Sequence, residues 1–167
     1  YGQPELRSKC QPVEAITDEI KKLVSDLIDT MKAHRGQGIA APQVGKSVAI
    51  FIVCIPDVNE EGTFFYPEPT VFINPKLCNP TQTLWTEVEG CLSIPKVWAE
   101  VTRPEGITVT YQDLNSITHT NTFTGEFGRA IMHENDHLNG VLFIDRLTKN
   151  ERKRINTQLE KLKKIKR

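Results

Sequence analysis

"HENDHLNG", residues 133–140, places two histidines four positions apart, with a glutamate directly after the first. Helical positions four apart point in the same direction, so a helix here would let His133 and His137 hold one metal ion. Glu134 would then lie beside the metal without binding it, which is where a general base for hydrolysis belongs. The apolar lead-in "GRAIM", residues 128–132, indicates a buried helix and favours a metal site over a chance surface pattern.

A catalytic metal also needs a third protein ligand and an open position for water. Phe143 stands where a metzincin would carry its third histidine. Glu160 has about the spacing of a thermolysin-type glutamate, but it lies in a strongly basic segment that is typical of a solvent-facing helix. The downstream candidates are therefore poor, and the third ligand is expected upstream.

Two upstream stretches carry suitable chemistry. "EGCLSIP", residues 89–95, offers Cys91 directly after a glycine, although an isolated cysteine is more often a buried structural thiol. "GQGIAAPQVG", residues 36–45, has glycines that let the backbone pack closely against a ligand, and Gln43 adds an amide donor. Alone, this second stretch is equally a turn before a strand, and it matches neither a phosphate loop nor a dinucleotide fingerprint.

Length and composition predict one ordinary globular domain over residues 1–167. Lysine plus arginine equals aspartate plus glutamate at 21 each, so net charge indicates no polyanionic partner. The chain has no apolar run near the ~20 residues of a membrane span, and it opens with no secretory signal pattern. Four cysteines without paired spacing favour a reducing, cytosolic setting. The first residue is Tyr1 rather than methionine, so we expect a trimmed N-terminus.

The pattern of apolar residues predicts an α+β fold of short, mostly antiparallel strands around a central helix that carries the HExxH motif. A first helix is capped by Thr17 or Asp18 and ends at Gly36. Strands are predicted over residues 47–55, 70–77, 97–103, 106–113 and 116–124. The central helix covers residues 125–139, and "VLFIDRL", residues 141–147, is predicted as extended. A basic C-terminal helix over residues 148–167 is opened by a Thr148/Glu151 capping box.

The three chemistry-bearing stretches together, in this order, closely resemble the signature of the peptide deformylases. That family carries G-x-G-[LI]-A-A-P-Q, E-G-C-L-S and H-E-x-D-H-L, and the chain matches all three at the functional positions. The similarity extends from "PELRSKCQPV" near the start to "GVLFIDRL", and so covers nearly the whole chain. One departure is Lys96, where many members have glycine; with Trp98 two places on, it changes the expected rim of the cleft.

The resemblance implies the reaction and the metal site. Cys91, His133 and His137 would hold one divalent metal, with water as the fourth ligand. The resemblance implies ferrous iron in the cell, with zinc, nickel or cobalt possible after purification. The enzyme would remove the N-formyl group from the N-terminal methionine of newly synthesised polypeptides and release formate.

The resemblance also implies roles for neighbouring residues. Glu134 would act as the base, while the Gln43 amide and the Leu92 backbone N–H would hold the oxyanion. The peptide would contact the backbone of Gly38 and Gly90, with its methionine in a pocket lined by Ile39, Ala130 and the ring face of His133. Asp136 would either orient a ligand histidine or face solvent, and Glu89 would pair with Arg103 unless Arg103 is a surface charge.

The expected partners follow from this activity. They are nascent formyl-methionyl polypeptides, and neither a membrane nor a sequence-specific nucleic acid is expected as a partner. The expected location is a bacterial cytoplasm or an organelle of bacterial descent. Residues 149–167 carry nine basic and two acidic residues, so this helix either keeps the protein soluble or docks the enzyme on the RNA of the ribosome. Two other functions compete: a zinc peptidase of the HExxH type, and a ribosome-associated or other binding module with a decayed site.

Overall fold

The computed structural model describes residues 1–165, and the α+β prediction is confirmed: helices flank mostly antiparallel strands. The helices are α1 (Asp18–Ala33), α2 (Gly125–Leu138) and α3 (Lys149–Ile165), with 3-10 turns over Pro4–Arg7, Ala41–Val44 and Phe143–Asp145. The strands are β1 (Gly38–Ala40), β2 (Ile50–Val53), β3 (Asp57–Val58), β4 (Phe64–Phe65), β5 (Thr70–Cys78), β6 (Leu84–Cys91), β7 (Ile94–Pro104), β8 (Gly106–Gln112) and β9 (Thr118–Thr124).

A five-stranded antiparallel sheet in the order β1-β2-β5-β8-β9 lies between α1 and α2. Strand β2 is buried on both faces, which explains why its sequence is a continuous apolar run. Ile50 and Ile52 pack in the cluster formed with α1, whereas Phe51 and Val53 pack in the cluster formed with α2. The alternation of side chains along β2 therefore joins both helices to one sheet.

The β6–β7 hairpin forms a separate two-stranded sheet, and α3 packs against it. Val97 and Val101 of β7 share a buried cluster with Ile155 and Leu159 of α3. Leu162 packs against the same cluster, so one apolar side of the C-terminal helix docks on the body of the protein. The hairpin is thereby packed on α3 through its buried face, which supports the position of Cys91 at the end of β6.

The ends of the helices follow the sequence signals. The Thr17 side chain accepts a hydrogen bond from the Ile20 N–H, as predicted for the start of α1. The Thr148/Glu151 capping box is confirmed, because each side chain accepts a hydrogen bond from the other residue's backbone N–H. The last two residues of the predicted C-terminal helix, 166–167, lie outside the described residues. No helix in the described part of the chain is long and apolar enough to cross a membrane.

The prediction of an extended segment over residues 141–147 is wrong for its centre. Phe143–Asp145 forms a 3-10 turn, in which the Asp145 side chain accepts a hydrogen bond from the Leu142 N–H. Phe143 and Ile144 are both buried against the hairpin cluster. Burial of two adjacent apolar side chains on one side of the chain requires a tight turn, because an extended chain would direct them to opposite faces.

Lys96 lies in the middle of a bulge in β7, where the backbone favours glycine. Cys91 pairs with Ile94 but Gly90 pairs with Trp98, so three residues of β7 lie unpaired between these two registers. Lys96 is the middle residue and has φ +62°, the left-handed region that glycine occupies without strain. The glycine expected here from the resemblance thus has a backbone reason, and lysine occupies the position at an energetic cost.

Replacing Lys96 with glycine should raise the free energy of unfolding by about 1 kcal/mol, because the left-handed conformation costs an L-residue roughly 1–2 kcal/mol and the added flexibility of glycine offsets part of the gain. Glu100→Gly, at an exposed position of regular β7 structure, is the matched control and should lose about 0.5–1 kcal/mol. Urea denaturation of both variants measures the difference. A destabilised Lys96→Gly variant would contradict the strain assigned to this bulge.

Candidate metal centre and active-site cleft

Two elements bring the three predicted metal ligands together. Cys91 ends β6, and His133 and His137 lie one turn apart on α2. Their potential ligand atoms all lie within 4.8 Å of one another, and the Cys91 Sγ is 3.3 Å from the His137 Nε2. A thiolate with two imidazoles is a donor set that suits a divalent transition metal.

The two histidines occupy different environments. His137 is fully buried, and this burial, together with the charge of His133, places its pKa well below the ordinary value, so its imidazole is neutral. Burial also lowers the pKa of His133, but hydrogen bonds with Cys91 and Glu89 outweigh it and raise the pKa to about 10. A ligand imidazole must be neutral, so metal binding at His133 would release a proton.

Glu89 holds the His133 ring in place. The Glu89 Oε2 is 3.0 Å from the His133 Nδ1, which leaves the Nε2 of that ring for a metal. Arg103 binds the same carboxylate through two hydrogen bonds of 2.7 and 3.0 Å, and Arg129 donates a third of 2.7 Å. Burial raises the pKa of Glu89, but the hydrogen bonds from His133 and Arg103 reverse this effect and hold the pKa well below its usual range. Glu89 is thus ionised, and its predicted pairing with Arg103 is confirmed.

Glu134 lies next to the three donor residues and packs against Gly38. A Cβ at position 38 would lie 2.7 Å from the Glu134 Oε1, so only glycine leaves room for this carboxyl group. The Glu134 Oε2 is buried and has no hydrogen-bond partner among the described residues. Burial raises the pKa of Glu134 to about 7, more than the positive charge of His133 lowers it. A buried carboxyl with an unused oxygen beside three metal donors fits a site built for a metal and its water.

Gln43 is oriented by its own backbone neighbourhood. Its Oε1 accepts a hydrogen bond of 2.8 Å from the Ala40 N–H, which directs the amide Nε2 away from β1. That nitrogen lies 3.2 Å from the Ser93 Oγ and 3.7 Å from the Cys91 Sγ. The amide donor predicted for the oxyanion therefore lies beside the predicted ligand cysteine.

A cleft of about 750 Å³ contains most of the predicted site. Its lining includes Gly38, Gln43, Gly90, Cys91, Leu92, Ala130, His133 and Glu134. Ile39 is placed elsewhere: its side chain is buried in the cluster beneath α1 and borders a neighbouring pocket. The alternation of β1 explains this, because Gly38 faces the cleft and the next side chain points to the other side of the strand.

Two polar residues have roles that the sequence did not reveal. Asp136 is buried, but it neither contacts a histidine nor faces solvent, since Arg103 and Arg146 both donate to its carboxylate. Arg129, which sequence analysis did not select, binds Glu89 and the Val101 carbonyl. A signal for Arg129 was present, because it precedes His133 by four residues and so lies on the same face of α2.

Comparison with known proteins agrees with this geometry. The family model described as polypeptide deformylase matches residues 1–153. A peptide deformylase from Bradyrhizobium diazoefficiens is 40% identical over 157 residues, covering 94% of this chain and 90% of the relative. One from Chlorobaculum parvum is 37% identical over 163 residues, covering 98% of this chain and 85% of the relative.

Solved structures show the same likeness. Peptide deformylase 1B from Arabidopsis thaliana, in complex with an inhibitor, is 34% identical with a TM-score of 0.89, covering 98% of this chain and 88% of that chain. Peptide deformylase from Plasmodium falciparum is 33% identical with a TM-score of 0.88, covering 97% of this chain and 92% of that chain. With the three motifs gathered around one cleft, these matches show that the chain belongs to the peptide deformylase family, metal-dependent hydrolases that remove the formyl group from newly synthesised polypeptides.

Proposed function

We propose that this chain removes the N-formyl group from nascent polypeptides with one divalent metal held by Cys91, His133 and His137. The observation that carries the proposal is the buried Glu134 carboxyl beside three potential ligand atoms that lie within 4.8 Å of one another. Ferrous iron is the metal proposed for the cell because membership of the family implies it; zinc, nickel and cobalt accept the same thiolate and imidazole donors. When bound, the metal supplies Lewis acidity, which lowers the pKa of a water ligand and polarises the formyl carbonyl.

Glu134 is the proposed proton carrier. Its carboxylate takes a proton from the attacking water and later delivers one to the departing methionine nitrogen. Burial raises the pKa of Glu134 above the ordinary value of a glutamate, which favours proton transfer in both directions near neutral pH. Glu134 is buried against Gly38, and a packed side chain shortens the search for the reactive geometry.

Gln43 and Leu92 are the proposed donors to the tetrahedral oxyanion, through the side-chain amide of the former and the backbone N–H of the latter. The fixed orientation of the Gln43 amide supports this role, because a preorganised donor costs no rearrangement at the moment of reaction. Leu92 directly follows Cys91, so its N–H lies one peptide bond from the metal ligand.

The peptide is proposed to bind as an added strand. β1 pairs only with β2, and β6 pairs only with β7, so among the described residues each strand keeps one edge without a partner strand. Gly38 and Gly90 lie on these two strands and line the cleft, where the peptide backbone would contact them. The methionine side chain would then enter the part of the cleft bordered by Ala130 and the ring of His133.

Release of formate from a formyl-methionyl peptide tests the proposed function. The purified protein, reconstituted with ferrous iron without air, should produce one formate for each peptide and leave the internal peptide bonds intact. A zinc peptidase would instead cleave the chain of an unformylated peptide. Metal binding without either reaction would support the binding module with a decayed site, and it would overturn the proposal.

Glu134→Gln should keep the metal and lower kcat roughly 10²- to 10⁴-fold, because the substitution removes the base and retains all three ligands. Metal content per chain and initial rates of formate release measure the two effects separately. Glu126→Gln, an exposed acid that also lines the cleft, is the matched control and should remain within about twofold of the parent. Retained turnover in Glu134→Gln would remove Glu134 from the mechanism.

The basic helix α3 is proposed to dock the enzyme on ribosomal RNA near the exit of its substrate, in a bacterial cytoplasm or an organelle of bacterial descent. Two observations support this proposal. Ile155 and Leu159 bury one side of α3, while Lys153, Arg154 and Lys161 lie exposed. Residues 149–167 also carry nine basic residues against two acidic ones, in a chain whose formal net charge is zero.

Replacing Lys153, Arg154, Lys161 and Lys164 together with glutamine should abolish co-sedimentation with ribosomes and leave turnover of a short formyl-peptide within twofold. Binding by the parent should weaken steeply with salt, because neutralised phosphates release counterions. The control carries the same change of charge at four exposed lysines elsewhere, Lys21, Lys22, Lys32 and Lys46. Equal co-sedimentation of the two variants would mean that α3 provides solubility alone.

A further inference from the structure

Large apolar side chains are exposed around the catalytic cleft. Nine such residues are exposed in the described part of the chain, and Phe64, Val88, Leu92 and Trp98 among them line this one cleft. Trp98 is the most exposed of the nine, at 66%. Exposed apolar side chains that gather at the mouth of one site typically mark contact with a ligand, whereas single exposed apolar side chains need no explanation.

Trp98 lies across a glycine. It pairs with Gly90 across the β6–β7 hairpin, and a Cβ at Gly90 would lie 2.5 Å from the Cε3 and Cζ3 atoms of the indole. The ring therefore occupies the space where any other residue would carry its side chain. The bulge at Lys96 produces this register, because it brings Trp98 rather than a nearer residue opposite Gly90.

The position of the ring gives it reach beyond β6. A peptide added to the free edge of β6 would lie roughly 5 Å from β6 and roughly 10 Å from β7. A side chain on β7 does not ordinarily extend so far, because the side chain of the intervening strand blocks it. At Gly90 no side chain intervenes, so the indole covers β6 and borders the path of the substrate.

Alternation along the strands selects the substrate residue that the indole meets. Glu89 and Arg103 face α2, whereas Val88 and Trp98 lie on the other face of the hairpin. In the proposed binding mode, the formyl-methionine side chain enters the cleft toward Ala130 of α2. The residue after it in an extended peptide must point to the other face, where Val88 and Trp98 lie.

We infer that Trp98 determines specificity at the residue after the formyl-methionine, and that it favours a bulky apolar side chain there over a small one. This inference rests on the proposed deformylase function and extends it to the sequence of the nascent chain. The indole and Val88 offer an apolar surface to that side chain, and its burial lowers the free energy of the bound substrate and transition state alike. The preference is therefore expected in kcat/KM.

Three formylated tripeptides test the inference: formyl-Met-Ala-Ser, formyl-Met-Leu-Ser and formyl-Met-Phe-Ser. The parent enzyme should prefer the leucine and phenylalanine peptides over the alanine peptide about tenfold in kcat/KM, which corresponds to about 1.4 kcal/mol. Trp98→Ala should reduce this preference to about twofold or less, because kcat/KM falls more for the leucine and phenylalanine peptides than for the alanine peptide. Trp98→Phe should retain most of the preference, because a smaller aromatic ring still covers Gly90.

Thr102→Ala is the matched control, since Thr102 lies on the same face of β7 but does not line the cleft, and the preference should be unchanged. A parent enzyme with equal kcat/KM for all three peptides would overturn the inference without any variant. An equal loss on all three peptides in Trp98→Ala would also overturn it, because the indole would then only support the hairpin. Absence of formate from every peptide would instead refute the proposed function.

Discussion

The Glu89 carboxylate is the interaction on which the site depends. It lies on β6, two residues before Cys91, and it binds Arg103 of β7 together with Arg129 and His133 of α2. One buried anion thus joins the hairpin that carries the Cys91 thiol to the helix that carries both imidazoles. Removal of one partner from such a buried ion pair typically costs about 3–5 kcal/mol, so the two elements are firmly coupled.

The rest of the fold secures this junction from both sides. The five-stranded sheet buries Ala130 and Ile131 of α2 in one cluster, and α3 buries Val97 and Val101 of β7 in another. A second buried carboxylate, Asp136, connects Arg103 to Arg146 beyond the helix end. The proposed metal donors therefore lie on packed elements, and Glu89 orients the ring of His133, which favours a preorganised site.

The sequence predicted the parts of the site that depend on local spacing. His133, Glu134 and His137 follow from one turn of helix, and Cys91 followed from the order of three motifs. It did not predict that Glu89 would bind His133, since these residues are 44 positions apart and only tertiary packing brings them together. β6 was not predicted either. Its outward face carries threonine, valine and glycine, so the strand lacks the regular alternation of apolar and polar residues that predicts a strand. The prediction that Ile39 lines the methionine pocket differs from its position in the structure. The orientation of β1 is set by its pairing with β2, which no single stretch of sequence reveals.

The affinity of the site for metal in Glu89→Gln tests the central claim most directly. The amide keeps the shape of the side chain but lacks the charge that holds His133, so the dissociation constant, measured by competition with a chelator, should rise 10- to 100-fold. Glu87→Gln, an exposed position on the same strand, is the matched control and should leave the constant unchanged. Circular dichroism should show that both variants are folded at the temperature of the measurement. An affinity in Glu89→Gln equal to that of the control would contradict the account, because the donors would then be held without Glu89.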